Sequence, residues 1–409
     1  MANIFKNAVS KVVESVSEAV SDAVSSALGG AGSSKNSYGI NARIELKVDD
    51  CELKTKEFTV TDMMIETVTS NKAGVCEVRM QAIIPSNKND FKLSDTVIPK
   101  IKAGHSFEVL ISNSSGKEFG KPTTVFKGFI ENRELVWDKR ILTCIIHGMD
   151  AKMWMMANRF TGERGENAQY SAIVQKVFGN YAKHAKIGKV DPASDTKVTG
   201  KCYQVDESDY EFICKIAEMT GSLFFIDNLG QLYFCSSKSL ISNSEKIEAE
   251  DEHVCRMSSK TGVWGTVKKV KVVATDSSNA HKIIKATSNS AEAIGRGKDS
   301  SGMVSRNYAS ENSGVRHINI YDDSIKSQQE AQALAKAIYT KREANLVETE
   351  VMLVGNPKLC VGTGAELKGF GKPFDNKYLI SAVRHVYGIY SEDGQYHTSL
   401  ILHANRSGF

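Results

Sequence analysis

Four carboxylates, Asp206, Glu207, Asp209 and Glu211, fall within six positions of the stretch YQVDESDYEFICKIAEMTGSLFFIDNLGQLYF (203–234). Paired carboxylates can act as the general acid and base of a glycosidase, or as oxygen ligands for a divalent cation. His397 and His403 are six apart in a strand-like pattern, so they share a face, and His385 could complete a metal set with them. His253 and Cys255 are the residue types of a base and a thiol nucleophile. Each of these has a plainer reading. Calcium loops need several oxygens at fixed offsets, and none occurs here. Zinc histidines are usually closer in sequence and joined by a carboxylate or cysteine. A lone His/Cys pair is expected by chance in a chain this long. The run GTGAELKGFG (362–371) has neither dinucleotide-fingerprint nor P-loop spacing, and H-E-x-x-H, G-x-S-x-G and C-x-x-C are absent. The residues therefore predict no catalytic group, no cofactor and no metal.

The acids have a local use. Ser208 is placed to cap a helix, with Asp209 in its first turn and Glu211 at its third position, which is a capping box. Asp209 there favours the positive end of the helix dipole. Phe212, Ile213, Ile216 and Ala217 form the apolar face, Tyr210 lies in the first turn, and Gly221 stops the helix. A hairpin follows, turning at Asn228, Leu229 and Gly230. Asp206 and Glu207 are left over and are assigned to a subunit contact. Ser327 and Glu330 repeat the box before a second helix, with Ala331, Leu334, Ala335 and Ile338 facing inward.

The chain has 409 residues, 41% hydrophobic and 24% charged, which predicts two to four soluble domains. A net charge of +4 without a basic stripe argues against sequence-specific nucleic-acid binding. The eight scattered cysteines read as buried free thiols of a reducing compartment. No apolar run is long enough to anchor the chain in a membrane. Glu14, Glu18 and Asp22 interrupt any signal-peptide core, placing the protein in the cytoplasm or on a route other than general secretion.

Residues 1–37 read as an amphipathic helix and a Gly/Ser linker. Val9, Val13, Val16, Val20, Ala23 and Ala27 follow a 4-3-4-3-4 spacing, the seam of a self-associating helix. From 38 the period changes to two. Strand patterns at 42–48, 57–70, 74–84, 105–112 and 125–150 predict an antiparallel barrel or sandwich, with Gly128 at a bulge or tight bend. A helix is predicted over 171–185, a strand over 265–274, loops over 276–313, and strands again from 346 to the end.

At this level the chain resembles phage late control protein D and the N-terminal hub region of VgrG proteins. The segment from Glu207, Ser208, Asp209, Tyr210 and Phe212 through Gly221, Phe224, Phe225, Gly230 and Leu232 is similar to the family signature. So are VFKGFI (125–130), SQQEAQALAKAIYTKREAN (327–345), and LCVGTGAELKGFG (359–371) followed by KYLISAVRHVYG (377–388), with Tyr378 at the usual aromatic position. Together these cover about 38–405. The resemblance implies an α+β, mainly β chain: two tube-like antiparallel β-barrel domains with inserted helices and hairpins, plus the N-terminal helical extension. The implied domains are 38–155 (first barrel), 156–255 (helix and helix-hairpin), 256–344 (loop-rich, ending in a helix) and 345–409 (second barrel, discontinuous, taking in the 265–274 strand). It also implies a non-enzymatic, homotrimeric baseplate hub of a contractile tail or injection system. Such a hub joins a sixfold tail tube to a threefold spike and meets baseplate wedge proteins. It is assembled in the bacterial cytoplasm and carried in the tail of a phage or phage-like particle. The chain stops at Phe409 without a spike domain, so a separate spike protein is expected. The extension (1–36) departs from the family, and the tape-measure protein is its expected partner. Two alternatives are a hub that degrades peptidoglycan with the acids above, and an effector-delivering VgrG-like spike.

Overall fold

The computed structural model describes residues 42–407, except 54–57, 85–95, 116–117, 243, 249–253, 263–266, 276–281, 292, 296–298, 301–316, 323, 345, 372–373 and 390–395. The seam Val9, Val13, Val16, Val20, Ala23 and Ala27 lies outside the described residues.

Alternation builds the first β unit. In Val75–Ile83, Cys76, Val78, Met80 and Ala82 are buried and the intervening residues are not, the period of a strand with one face on a core. Thr59–Val68, Ser106–Ser115, Thr123–Asp138 and Ile141–Met149 complete the unit, and Ala42–Val48 covers the far side of Ser106–Ser115. The sheet closes over Ile65, Val78, Phe107, Phe126 and Ile146. The long strand turns the corner: its first half pairs with Ser106–Ser115 and its second with Ile141–Met149. Gly128 sits where they cross, and a Cβ there would lie 2.4 Å from the Met149 carbonyl oxygen. Gly128 is thus a close backbone approach, while the bulge itself falls at Glu131, between Ile130 and Asn132.

A second unit repeats the first. Its strands are Val254–Thr261, Val347–Val354, Gly364–Lys368, Lys377–Gly388 and Tyr396–Ala404, over a core that includes Val351, Leu367, Tyr378 and Leu400. Numbered by sequence, both units run 1-2-5-4-3 in space. Two irregularities coincide as well. The fourth strand bulges at Glu131 in one unit and at Ser381 in the other. The first strand bulges at Thr61 in one and at Cys255 in the other. The units share one sheet, because Lys377–Gly388 pairs antiparallel with Thr59–Val68.

Two insertions interrupt this plan. Helices Lys152–Ala157, Tyr170–Gly179 and Asp209–Thr220 pack with the Leu223–Ile226/Gln231–Cys235 hairpin around Phe178, Phe212, Ile213 and Phe234. The buried Lys152 ties this insertion to the first unit, its ammonium donating to the Lys72 carbonyl at 2.6 Å and the Phe224 carbonyl at 3.3 Å. The second insertion sets Lys269–Thr275, Ile283–Ser288 and His317–Tyr321 against helix Gln328–Glu343.

This corrects two expectations. The strand at 265–274 does not join the second barrel: Val270, Val272 and Ala274 bury against the Gln328–Glu343 helix instead. Val254–Thr261 takes its place, joined by Ser244–Glu248 parallel to Gly364–Lys368. The stretch 276–313 contains a strand, Ile283–Ser288, whose alternating burial is hidden in the sequence because Ile283 is exposed and Ser288 buried. Among the described residues, no helix is long and apolar enough to cross a membrane.

Candidate functional site

The acidic cluster starts a helix. Ser208 Oγ accepts from Glu211 N at 3.1 Å, and Glu211 Oε2 accepts from Ser208 N at 2.7 Å and from Ser208 Oγ at 2.8 Å. These bonds hold the Glu211 carboxyl below its ordinary pKa, the Ser208 backbone bond contributing most. A general acid needs the opposite shift. Replacing Ser208 with Ala is expected to cost about 1 kcal/mol in chemical denaturation. An unchanged midpoint would contradict the role of this cap.

Asp209 does more than favour a dipole. It is 3% exposed, and its carboxylate is ion-paired with buried Arg164. It also accepts from Gln204 Nε2 at 3.1 Å and from Tyr181 OH at 2.8 Å. Arg164 in turn stacks on Phe160, 3.8 Å from the ring centroid. The network joins the strand pair Arg159–Glu166/Lys201–Ser208 to two helices. None of Arg164, Gln204 or Tyr181 is recognisable as its partner from spacing, because they arrive from 45, 5 and 28 residues away.

The neighbouring acids differ. Asp206 is exposed and pairs with Arg159 at 3.0 Å. Glu207 Oε1 pairs with Lys215 at 3.1 Å. Both of these acids, assigned to a subunit contact on sequence grounds, therefore have partners within the chain. Tyr210 OH donates to the Asn71 carbonyl in the first β unit, and Phe212 is in the helical core. Gly221 adopts φ +70, and a Cβ there would lie 3.0 Å from Ala337, so it both ends the helix and lets the second helix approach.

The histidines do not converge. His385 is 2% exposed and faces the core, with Tyr396 OH 2.9 Å and Thr398 Oγ1 3.2 Å from its Nδ1. His397 and His403 alternate with buried residues on the opposite face, and His403 pairs with Glu348 at 3.4 Å. Among the described residues, no cluster of three His, Cys, Asp or Glu side chains could hold a metal. His253 lies outside the described residues. All eight cysteines are thiols outside any disulfide, but Cys51 and Cys255 are exposed, contrary to the expectation of buried thiols. Burial pushes Cys144, Cys214, Cys235 and Cys360 up to about 11, so they stay protonated at neutral pH.

What the fold does build is a single curved wall. Eight strands, from Val254–Thr261 at one edge to Thr123–Asp138 at the other, share one non-core face. His147, Glu77, Met64, Val386, His397 and Val354 form one cross-strand row that crosses the joint between the units. At the joint Arg384 Nε donates to Glu66 Oε2 at 2.9 Å. On the other face Tyr387 packs against the core of the first unit, and Tyr396 belongs to that core outright. Gly355 is required beneath Tyr396, whose ring a Cβ would meet at 1.9 Å.

Solved structures with this fold include tail proteins. The chain has the fold of the prophage MuSo2 43 kDa tail protein from Shewanella oneidensis, with a TM-score of 0.60 at 14% identity, covering 88% of this chain and 97% of that one. It is equally similar to a tail protein from Neisseria meningitidis MC58, with a TM-score of 0.62 at 12% identity, covering 90% and 97%. The E. coli c3393 protein, a type VI secretion component with structural similarity to the T4 tail proteins gp27 and gp5, gives 0.52 at 9% identity, covering 89% and 78%. At such identities the likeness is one of fold. In sequence, residues 41–388 match the Alg8 N-terminal domain family, and the chain belongs to that family. No curated protein matches the chain.

Proposed function

We propose that this protein is the hub of a contractile tail or related injection system, a homotrimeric adaptor between a sixfold tail tube and a threefold spike. The observation that carries the reading is the internal repeat. Two units with the same strand order and the same bulges lie side by side in one sheet. A closed ring of such chains presents twice as many alike units as it has subunits. Three chains thus offer six docking positions to a tube while keeping threefold symmetry for a spike. The tail-protein fold supports this reading, and so do the capping and ion-pair contacts that engage Asp206, Glu207, Asp209 and Glu211. The protein then works by geometry rather than turnover. Its partners are itself, the tube protein, a separate spike protein and the wedge proteins, with residues 1–36 directed to the tape-measure protein. It is assembled in the bacterial cytoplasm and carried in the baseplate.

Native mass measurement of the purified protein, alone and with its tube protein, tests the proposal. The expected species has three copies, alone or on the tube. A chain that stays monomeric with the tube protein present would overturn it.

A further inference from the structure

The shared sheet has two ends, and the joint in its middle shows how such ends meet. Among the described residues, Val254–Thr261 has one strand neighbour only, Val347–Val354. At the other end, among the described residues, 132–138 pair only with Ile141–Met149, because Ser106–Ser115 leaves the long strand at Phe129. In the repeat these two edges are the counterparts of the two strands already joined within the chain. Residues 132–138 correspond to 382–388, and Val254–Thr261 corresponds to Thr59–Val68.

We propose that the 132–138 edge of one copy pairs antiparallel with the Val254–Thr261 edge of a second copy, in the register of the internal joint. This rests on the ring reading above and adds its contact. The bulges set the register. Alignment of Glu131 with Ser381 makes Glu134 the counterpart of Arg384, Trp137 of Tyr387 and Asp138 of Gly388. Alignment of Thr61 with Cys255 makes Arg256 the counterpart of Asp62, Met257 of Met63 and Lys260 of Glu66. The internal pairs are Arg384 with Glu66, Tyr387 with Met63 and Gly388 with Asp62. Carried to the open edges, they become Glu134 with Lys260, Trp137 with Met257 and Asp138 with Arg256.

The charges fit although nothing in the alignment selected them. Both ionic positions meet an opposite sign, and the Arg384–Glu66 polarity is reversed at Glu134–Lys260. The reversal also keeps the two joints from interchanging. If residues 132–138 took the place of 382–388, Glu134 would face Glu66 and Asp138 would face Asp62, and like charges directly opposite are unfavourable. The apolar side agrees. Leu135 is 37% exposed and Trp137 52%, although both stand on the strand face that elsewhere covers the core. Tyr387, the counterpart of Trp137, packs into the neighbouring unit's core. Trp137 of one copy then meets the partner core against which Met257 packs. A paired edge also removes two open sheet edges that would otherwise invite disordered association.

The test uses the full chain. Glu134→Lys and Lys260→Glu, each at an exposed position, are expected to weaken self-association about tenfold or more, with the double variant restoring most of it. In a chain with Cys51→Ser and Cys255→Ser, Val136→Cys combined with Ser258→Cys should give intermolecular disulfides under mild oxidation. Val136→Cys with Lys260→Cys, two residues out of register, should not. Melting temperatures close to wild type show that the variants fold. A ring that persists in both single charge variants and forms no Val136–Ser258 crosslink overturns this register and leaves the hub reading standing. A wild-type chain that forms no ring, with or without the tube protein, overturns both.

Discussion

Replacing Asp209 with Ala is expected to cost about 3–5 kcal/mol, the loss seen when one member of a buried ion pair is removed. Arg164 and Asp209 have side chains only 8% and 5% exposed, so solvent screens the pair little. Without Asp209 the guanidinium keeps its bond to Gln204 Oε1 at 2.7 Å and its stacking on Phe160, but its charge stays buried with no counter-ion. Tyr181 OH would also lose its 2.8 Å acceptor. Urea denaturation of the variant beside wild type checks this, and a loss below about 1 kcal/mol would contradict the ion-pair reading. Replacement of both partners by Leu is expected to cost less than Asp209→Ala alone, because it removes the buried charge with its partner. The result separates this network from the exposed cap beside it.

The second large effect is a loss of stability in acid through His385. Burial lowers the His385 pKa to about 4 from 6.5, with a Leu359 backbone hydrogen bond pulling weakly the other way. In the folded chain the ring therefore stays neutral down to about pH 4, while in the unfolded chain it takes a proton near 6.5. Between those values the unfolded state binds more protons, so stability is full above about 6.5 and falls as pH drops toward 4. The slope is about 1.4 kcal/mol per pH unit, and the total is about 3 kcal/mol. His385 stands opposite Ile65 across the joint between the two units and meets Tyr396 of the first core, so acid acts on the seam of the shared sheet. Denaturation midpoints measured from pH 7 to 4.5 should fall more steeply in wild type than in His385→Gln. Equal slopes would remove His385 as the cause.

Much of this molecule could be read from short spans of chain. The Ser208 and Ser327 capping boxes use contacts three residues apart, and both are present. Alternation marked Val75–Ile83 and Tyr396–Ala404 because each buries every second residue. Where an apolar residue faces outward and a polar one inward, as Ile283 and Ser288 do, the period is lost and the sequence predicts loop. Distance along the chain hid the rest. Asp209 looked like a dipole contact because Arg164 lies 45 residues before it. By residue type and spacing His385 could join His397 and His403, a set the sequence already disfavours, and His385 and His397 are in strands whose faces separate them.

By itself the sequence determined the local grammar: where helices begin and end, which strand residues face inward, and that the chain is mainly β with helices inserted. Those properties follow from capping geometry and from the periods of helix and strand, which span a few residues. Two barrels are already what the resemblance implies, but only the tertiary structure decided that they share one strand order, two matching bulges and a single sheet. In the fourth strands, Ile130, Val136 and Trp137 answer to Ile380, Val386 and Tyr387, and the residues between them differ. A sheet constrains register and the apolar or polar character of each face, and many residues satisfy both. The two units can therefore keep one pairing scheme while their sequences drift apart, and the opposite charges at their edges become visible only once that scheme is known.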